Sequence, residues 1–305
     1  MTNLLSLYQH LPEKIDPIAF SIGSFSIKWY SLMYILGFLV VYILLLYRIK
    51  KKEFSIFNFQ FSNNFQLSNV QLKNLIFDLL LYLFIGALIG GRLGYVLFYN
   101  FSYCISHPLE VFIPIQVSSY GFQVTGFYGM SFFGGLIGAV LAGYIFCKKY
   151  KINFFKMADF IIPAIPAGYF FGRIGNFLNG ELYGRATDAP WGMYFADGIL
   201  RHPSQLYEAF FEGLALFVIL WLLRNEIKYK NKVFYAPCFM LYVFGYGFFR
   251  FFIEFFREPD PQIGLVFNFL TLGQAFSLIL MIFSIIICFH NYKKYAKIAS
   301  YEQEK

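Results

Sequence analysis

The chain has 305 residues, of which 58% are hydrophobic and only 14% are charged. One water-soluble core of this length does not bury so much apolar surface, so the composition excludes a soluble globular protein and predicts a polytopic membrane protein. The net charge of +8 does not require a nucleic acid partner, because basic loops beside a membrane attract anionic lipid heads.

Several apolar stretches along the chain approach the ~20 residues that cross the hydrocarbon core of a bilayer. We predict seven transmembrane helices, at 29–47, 75–99, 128–147, 157–177, 204–223, 234–256 and 271–290. The predicted fold class is therefore all-α, a polytopic helical membrane protein in which residues 1–305 form a single integral membrane domain. The first residues lack the basic start and the cleavage site of a secretory signal peptide, so no cleavage is expected.

Lys and Arg residues fall mainly in alternate gaps between these stretches. They crowd the first, third and fifth gaps and the C-terminal tail, as in YRIKKK, CKKYK and KYKNK. By the positive-inside rule these gaps face the cytoplasm, which places the N-terminus in the periplasm and the C-terminus in the cytoplasm. The polar loop near 178–203 then lies on the periplasmic side.

Small residues repeat at four-residue spacing in three of the predicted helices. The repeats are Gly86, Gly90 and Gly94; Gly134, Gly138 and Ala142; and Ala164, Gly168 and Gly172. Faces of this kind let two membrane helices approach closely, so we expect helix packing there. Pro163 and Pro166 predict a kink in the fourth helix.

The cysteines show neither a disulfide pattern nor the spacing of a metal site. Cys104, Cys147, Cys238 and Cys288 lie far apart and mostly in or beside apolar runs. We interpret them as packing residues. No cofactor and no metal ion is expected from the sequence.

Most basic residues outside the cytoplasmic gaps are arginines, and several lie in apolar surroundings. Arg173 lies near the outer end of the fourth predicted helix, and Arg250, Glu254 and Arg257 share one face of the sixth. An arginine in hydrocarbon costs ~2.5 kcal/mol or more, and guanidinium groups match phosphates and carboxylates. We therefore predict an anion site entered from the outer leaflet. The simpler alternative is a structural ion pair with Glu254, or snorkelling of Arg257 to the interface.

The stretch FGRIGNFLNGELYGR gathers amides and a carboxylate beside Arg173. On a helix Asn176 shares a face with Arg173, and Glu181 follows nearby if the helix continues. Gly175 and Gly180 permit a turn of the backbone instead. Either arrangement brings a cation, two amides and a carboxylate together at the membrane surface.

The segment RHPSQLYE leads into the fifth predicted helix and adds further polar side chains. His202 belongs to the polar loop before that helix. Ser204 stands where the helix begins, and we interpret it as the N-cap, with Tyr207 and Glu208 in the first turn.

Several of these motifs together resemble a known family. They are IKWYSLMYILGF (27–38), IGGRLGYVLFYN (89–100), GMSFFGGLIG (129–138), GRIGNFLNGELYGR (172–185), RHPSQLYE (201–208), FRFFIEFFREPD (249–260) and LTLGQ (270–274). In this order they are similar to the bacterial phosphatidylglycerol:prolipoprotein diacylglyceryl transferases. The resemblance implies an inner-membrane enzyme that transfers the diacylglyceryl group of phosphatidylglycerol to the lipobox cysteine of a prolipoprotein, forming a thioether and releasing glycerol 1-phosphate. It implies phosphatidylglycerol, the prolipoprotein signal peptide and membrane lipids as partners, and no nucleic acid.

The resemblance also implies roles for individual residues. Arg173 and Arg250 form a clamp on the phosphate, and a base assists removal of the thiol proton. The expected catalytic residues are Arg173, Arg250, Glu181, Tyr30 and His202. The residues expected to bind phosphatidylglycerol are Arg173, Asn176, Arg250, Glu254, Tyr246 and Arg257.

Phe133 departs from the family pattern. The family reads His-Gly-Gly-Leu where this chain has Phe-Gly-Gly-Leu from residue 133, and phenylalanine neither accepts a proton nor binds phosphate. Another side chain then acts as the base, and the candidates are His202, Glu181, Tyr30 and Tyr128. The alternative functions are a catalytically impaired paralogue that binds lipoprotein precursors and, from a different class, an anion transporter.

Overall fold

The computed structural model describes residues 2–23, 25–53, 69–99, 101, 115–118, 121–124, 130–224, 237–258, 265–266 and 270–303. Helices α1 to α11 are Thr2–Gln9, Leu11–Lys14, Trp29–Lys50, Asn69–Tyr99, Phe132–Lys149, Phe154–Ile161, Ile165–Leu178, Ser204–Glu208, Leu216–Leu223, Pro237–Ile253 and Leu272–Gln303. A 3₁₀ turn at Ile162–Ala164 joins α6 to α7, and a π-helical segment at Ala209–Ala215 joins α8 to α9. Strands β1 to β8 are Ile18–Ile22, Phe25–Lys28, Ile115–Ser118, Gly121–Val124, Met193–Tyr194, Leu200–Arg201, Leu265–Val266 and Leu270–Thr271.

Five helical segments are long and apolar enough to cross a membrane. They are Trp29–Lys50, Val70–Leu97, Phe154–Leu178, Ser204–Leu223 and Leu272–His290. They coincide with five of the seven predicted stretches. The predictions at 128–147 and 234–256 begin outside the described residues, and α5 and α10 form the described portion of each. Helix α10 is apolar but shorter than the five.

The described strands form short antiparallel ribbons of two strands each. The ribbons pair β1 with β2, β3 with β4, β5 with β6 and β7 with β8, and in the first of them Phe20 lies opposite Ile27. No larger sheet occurs among the described residues. The prediction of a mainly helical chain is therefore confirmed.

The chain divides into two compact units. One consists of Met1–Leu45 with Ala158–Lys305, and the other of Leu46–Met157. The first holds the N-terminal elements, most of α3 and everything from α7 onward. The second holds α4, β3, β4 and α5.

In the second unit, α4 and α5 pack along the small-residue faces predicted from the sequence. A Cβ atom placed on Gly86 would lie 2.5 Å from Ala142 Cβ, and one placed on Gly94 would lie 2.8 Å from Gly134 Cα. The two helix backbones are therefore in direct contact, and the prediction is confirmed for this pair.

In the first unit, α3 and α7 approach each other at glycines. A Cβ atom on Gly37 would lie 2.9 Å from the Gly168 carbonyl oxygen, whereas one on Gly172 would lie 3.8 Å from the Tyr34 ring, an ordinary contact. In the fourth predicted helix, where Pro163 and Pro166 predict a kink, α6 ends before the 3₁₀ turn that contains Pro163, and α7 begins directly after this turn.

Cysteine side chains fill apolar space in the described part of the chain. Cys147 and Cys238 are buried and Cys288 is partly buried. Cys238 packs with Ile162 and Leu220, as a packing residue does. Cys104 lies outside the described residues.

The loop after α7 is held by an apolar cluster and by the N-terminal helices. Phe177, Met193 and Phe195 form a buried core under the loop. The His10 ring stacks on the Tyr194 ring with 4.5 Å between centroids. These contacts fix the loop over the end of α7, where the polar motif lies.

Candidate functional site

Helix α7 carries a polar row on one face. The Arg173 Nε lies 2.8 Å from the Tyr169 hydroxyl, to which it donates, and 2.8 Å from Glu208 Oε2. The Arg173 Nη1 donates to Asn176 Oδ1 at 3.2 Å. The spacing of three and four residues places these side chains on the same face, so the prediction for Arg173 and Asn176 is confirmed.

Glu208 is the residue at which the arginines meet. Its side chain is fully buried, and its Oε2 accepts a hydrogen bond from Arg250 Nη1 at 3.0 Å in addition to the contact with Arg173. The Arg257 Nη1 lies 3.7 Å from the other carboxylate oxygen. A buried carboxylate is stable only beside opposite charge. Glu208 therefore holds two guanidinium groups, from α7 and α10, against one oxygen atom.

Arg250 is positioned by a second carboxylate from its own helix end. The Arg250 Nη2 lies 3.0 Å from Glu254 Oε2. Gly273 leaves room for this carboxylate, since a Cβ atom there would lie 2.6 Å from Glu254 Cδ. The structural ion pair considered from the sequence is thus present, and it orients Arg250 within the cluster.

Glu212 and Tyr169 belong to the same cluster and were not predicted. The Tyr169 hydroxyl donates to Glu212 Oε2, and Glu212 is fully buried. The two helical segments touch here, because a Cβ atom on Gly213 would lie 2.8 Å from Phe170 Cα. Glu212 lies in the π-helical segment, a feature that is frequent at functional sites. In the sequence, Glu212 could have been recognised as a candidate site residue because it is a carboxylate within an apolar, membrane-spanning run.

The chain turns sharply after α7 and returns a carboxylate to the site. The helix ends at Leu178, and Gly180 has a φ of +66°, so the helix does not continue to Glu181. The Asn176 Nδ2 donates to Glu181 Oε1 at 2.8 Å. Of the two arrangements considered from the sequence, the turn at Gly180 is the observed one, whereas Gly175 stays helical.

The start of α8 holds this turn in place. The Ser204 hydroxyl donates to the Leu182 carbonyl at 3.1 Å, and the Gln205 amide donates to the Glu181 carbonyl at 2.7 Å. The N-cap prediction for Ser204 is wrong. The N-cap is Pro203 and makes no side-chain cap, because the helix starts directly after the proline and the serine hydroxyl is engaged by the neighbouring turn.

Two predicted tyrosines pack against α7. The Tyr30 hydroxyl donates to the Tyr34 hydroxyl at 3.0 Å, and the Tyr30 ring lies against Gly175, where an added Cβ atom would be 3.4 Å from it. The Tyr246 ring meets the Tyr169 ring edge to face, with 6.0 Å between centroids. Tyr246 therefore lies beside the arginine cluster, and Tyr30 contacts α7 at Gly175, six residues after Tyr169.

His202 lies in a different set of contacts. Its Nδ1 is 3.1 Å from the Tyr207 hydroxyl, and its ring packs against Phe256 at 5.1 Å between centroids. Burial lowers the pKa of His202 below the ordinary value of 6.5, so the ring is neutral at pH 7. Among the described contacts, none joins His202 to Arg173 or Arg250.

Two sequence predictions remain, Tyr128 and Phe133. Tyr128 lies outside the described residues. Phe133 is partly buried near the start of α5, in the other compact unit. In the described part of the chain, no group of three or more His, Cys, Asp or Glu side chains is arranged to hold a metal ion.

The cluster retains donors for an anion. The described hydrogen bonds and ion pairs engage the Nε and Nη1 of Arg173 and the Nη1 and Nη2 of Arg250. A guanidinium group carries five N–H donors in a fixed plane, so each arginine has N–H groups beyond those that face its carboxylate. The arrangement is therefore able to bind a phosphate or carboxylate beside Glu208.

Comparison with known proteins agrees with the sequence resemblance. Residues 17–290 match the family described as prolipoprotein diacylglyceryl transferase. A protein of Chlorobaculum tepidum named phosphatidylglycerol–prolipoprotein diacylglyceryl transferase is 45% identical over 90% of this chain and 89% of its own length. Proteins of the same name from Desulfotalea psychrophila and Legionella pneumophila (strain Corby) are 44% and 41% identical, over 88% and 89% of this chain and 90% and 95% of their own lengths.

These matches cover most of both sequences in each comparison. The chain therefore belongs to the prolipoprotein diacylglyceryl transferase family. It is a multi-pass membrane transferase, and neither an anion transporter nor a non-catalytic binding protein is favoured.

Proposed function

We propose that this chain transfers the diacylglyceryl group of phosphatidylglycerol to the thiol of the lipobox cysteine of prolipoproteins, forming a thioether and releasing glycerol 1-phosphate. The observation that carries the proposal is the approach of Arg173 and Arg250 to one oxygen of Glu208, at 2.8 and 3.0 Å. Two guanidinium groups held this close match the phosphate of an anionic lipid. The relatives' names contain the same two substrates.

The reaction is a displacement at the glycerol carbon that bears the phosphate ester. A bond forms between sulfur and carbon, the bond between carbon and oxygen breaks, and the oxygen leaves on glycerol 1-phosphate. Negative charge grows on the phosphate during this step. Arg173 and Arg250 therefore stabilise the transition state more strongly than the bound lipid, which accelerates the reaction.

The other predicted residues have supporting roles in this proposal. Asn176 orients Arg173 and is itself held by Glu181, while Glu254 orients Arg250. Tyr30 and Tyr246 pack against α7 and line the lipid site. Arg257 adds a third positive charge near Glu208.

We also propose the membrane arrangement expected from the basic residues. The chain lies in the bacterial inner membrane as a single domain of seven transmembrane helices, with the N-terminus and the polar loop near 178–203 in the periplasm. A reporter fused after Lys52 or Lys151 then gives a cytoplasmic signal, and one fused near residue 190 gives a periplasmic signal. A periplasmic signal at Lys151 contradicts this arrangement.

The activity is tested with purified protein, phosphatidylglycerol and a peptide containing a lipobox cysteine. Wild type forms thioether product, and Arg173→Ala and Arg250→Ala each lose at least about 10²-fold in rate, because losing one partner of a bound charge costs ~3 kcal/mol or more. Lysine restores little in either position, since it lacks the planar fork. Arg201→Ala is the matched control, because Arg201 pairs with Asp197 and Glu258 outside the cluster.

Each outcome of this assay distinguishes the proposal from its rivals. Peptide binding without product from wild type indicates an impaired paralogue, which the substitution at Phe133 would explain. Flux of an anion through liposomes without product indicates a transporter. Near-wild-type rates in both alanine variants contradict the clamp.

A further inference from the structure

Tyr169 and Glu212 form a hydrogen-bonded pair directly beside the arginine clamp, with no role in the mechanism above. The Tyr169 oxygen accepts a hydrogen bond from Arg173 Nε at 2.8 Å. The Tyr169 hydroxyl donates to Glu212 Oε2, with Glu208 Oε2 as a second acceptor at 3.3 Å. The pair therefore links the guanidinium group that holds phosphate to a buried carboxylate through a single hydroxyl.

Glu208 of α8 and Glu212 of the π-helical segment are both buried, but neighbouring positive groups compensate their charges to different extents. Glu208 Oε2 is within 3.0 Å of two guanidinium groups. Glu212 Oε2 receives a neutral hydroxyl, and among the described atoms no donor forms a hydrogen bond with its Oε1, which lies 3.9 Å from Arg250 Nη1. Burying a carboxylate is costly unless it is paired. Glu212 is thus the carboxylate of this cluster that gains most by taking up a proton.

The bound lipid increases this tendency. Three arginines, Arg173, Arg250 and Arg257, face three carboxylates, Glu208, Glu212 and Glu254. A phosphodiester brings one further negative charge into the cluster. That added charge weakens the compensation of the carboxylates already there, and it therefore favours protonation of the least compensated one, Glu212.

We propose that Tyr169 and Glu212 remove the thiol proton in this chain, where Phe133 replaces the histidine of the family pattern. The inference rests on the proposed function. The thiol proton passes to the Tyr169 oxygen while the Tyr169 proton passes to Glu212 Oε2. The sulfur electron pair attacks the glycerol carbon, and the broken C–O bond leaves its electrons on the phosphate. The proton then returns from Glu212 through Tyr169 to the departing phosphate.

The position of the pair suits this transfer. An attacking atom lies ~3–3.5 Å from the carbon it attacks, and that carbon is one bond from the phosphate ester oxygen. A hydroxyl that accepts from the clamping guanidinium of Arg173 is therefore within reach of the thiol. The pair also needs no movement of the clamp, since Glu208 keeps both arginines in place.

The other described candidates for the base are engaged elsewhere. Glu181 accepts a hydrogen bond from the Asn176 amide. Tyr30 donates to the Tyr34 hydroxyl. His202 contacts the Tyr207 hydroxyl and is packed on an aromatic ring.

The titration of Glu212 depends on groups from three elements. They are Tyr169 and Arg173 of α7, Glu208 of α8, and Tyr242, Tyr246 and Arg250 of α10. The tyrosines among them are hydroxyls near neutral pH and the arginines stay charged. A pH dependence of the chemical step that disappears in a Glu212 variant is therefore assigned to the pair formed by Glu212 and Tyr169.

The test measures thioether formation against pH with Tyr169→Phe and Glu212→Gln. Both variants keep the shape of the side chain, and their melting temperatures show whether they fold. We expect kcat to fall by ~10²–10⁴-fold, the usual contribution of a general base, with the KM for phosphatidylglycerol within a few-fold of wild type. The wild-type kcat falls at low pH, and this fall is absent in both variants. Glu212→Asp restores part of the rate and the pH dependence.

Tyr144→Phe and Glu13→Gln are the matched controls, because Tyr144 is exposed on α5 and Glu13 pairs with His10 at the surface. Folded variants with wild-type kcat, or with the wild-type pH dependence at reduced kcat, overturn the proton path while the transferase function stands. A raised KM with unchanged kcat also overturns it. Wild type that makes no thioether at any pH overturns the proposed function, and the proton path is rejected with it.

Discussion

Gly213→Ala is expected to lower the catalytic rate with only a modest loss of stability. The ideal Cβ position on Gly213 is 2.8 Å from Phe170 Cα, 2.8 Å from Phe170 Cβ and 3.1 Å from the Phe170 nitrogen. Backbone atoms do not rotate out of the way, so the π-helical segment and α7 must move apart. Overpacking of this kind costs ~1–3 kcal/mol, and the better helix propensity of alanine returns up to ~1 kcal/mol. The net loss of stability is about 0–2 kcal/mol.

The displacement also acts on the hydrogen bond between Tyr169 and Glu212, because these two residues are the chain neighbours of Phe170 and Gly213. Glu212 precedes Gly213, and Tyr169 precedes Phe170, so separating the second pair separates the first. A misplacement approaching 1 Å costs ~10²-fold in rate, and a shift of a few tenths of an ångström is expected to cost about 10-fold or more. The Arg173 contact with Glu208 is loosened at the same time.

The measurement combines thermal unfolding in detergent with the rate of thioether formation. Gly172→Ala is the control, because the added Cβ atom lies 3.8 Å from the Tyr34 ring and meets no backbone. We expect this control to be as stable as wild type or slightly more stable, with kcat unchanged. If Gly213→Ala keeps the wild-type kcat and gains stability as the control does, the close approach does not position the cluster.

Three further tests concern Gly273, His202 and Phe133. Gly273→Ala places a Cβ atom 2.6 Å from Glu254 Cδ, so it should turn that carboxylate away from the clamp and lower kcat by about 10-fold or more, as measured by thioether formation. Burial lowers the pKa of His202 from 6.5, so the unfolded state binds more protons than the folded state as the pH drops below 6.5, and stability falls. The free energy of unfolding, measured between about pH 7.5 and 5, should therefore fall more steeply for wild type than for His202→Asn. Phe133→His should change kcat less than about 10-fold if the base is already supplied, and a strong gain from a nearly inactive wild type contradicts that view.

The sequence predicted those features that depend on spacing within one element. The glycine faces of α4 and α5 and the row of Arg173 and Asn176 follow from helical periodicity alone, and the structure confirms them. The apolar spans are likewise set by length and composition. Such features can be predicted without knowing which helices pack against each other.

Contacts between elements were the features that spacing did not predict. Glu212 and Tyr169 are far apart in sequence, and each reads as an isolated polar residue in an apolar run. Their contact depends on the close approach at Gly213, which only the packed structure shows. The prediction that Ser204 is an N-cap is wrong for a related reason. Its hydroxyl donates to the carbonyl of Leu182, in the preceding turn, and does not cap the helix.

Glycines also explain how so many charges are held in an apolar bundle. Ion pairs compensate burial only when the partners are within hydrogen-bond distance, and side chains of fixed length require the backbones that carry them to be close. Gly213 meets α7 beside the glutamate that Tyr169 contacts, and Gly273 leaves space for the glutamate that contacts Arg250. Replacing either glycine changes no charge. Loss of activity in such variants, with the arginines intact, would therefore show that the spacing of the helices, and not only the presence of the charges, determines the catalytic rate.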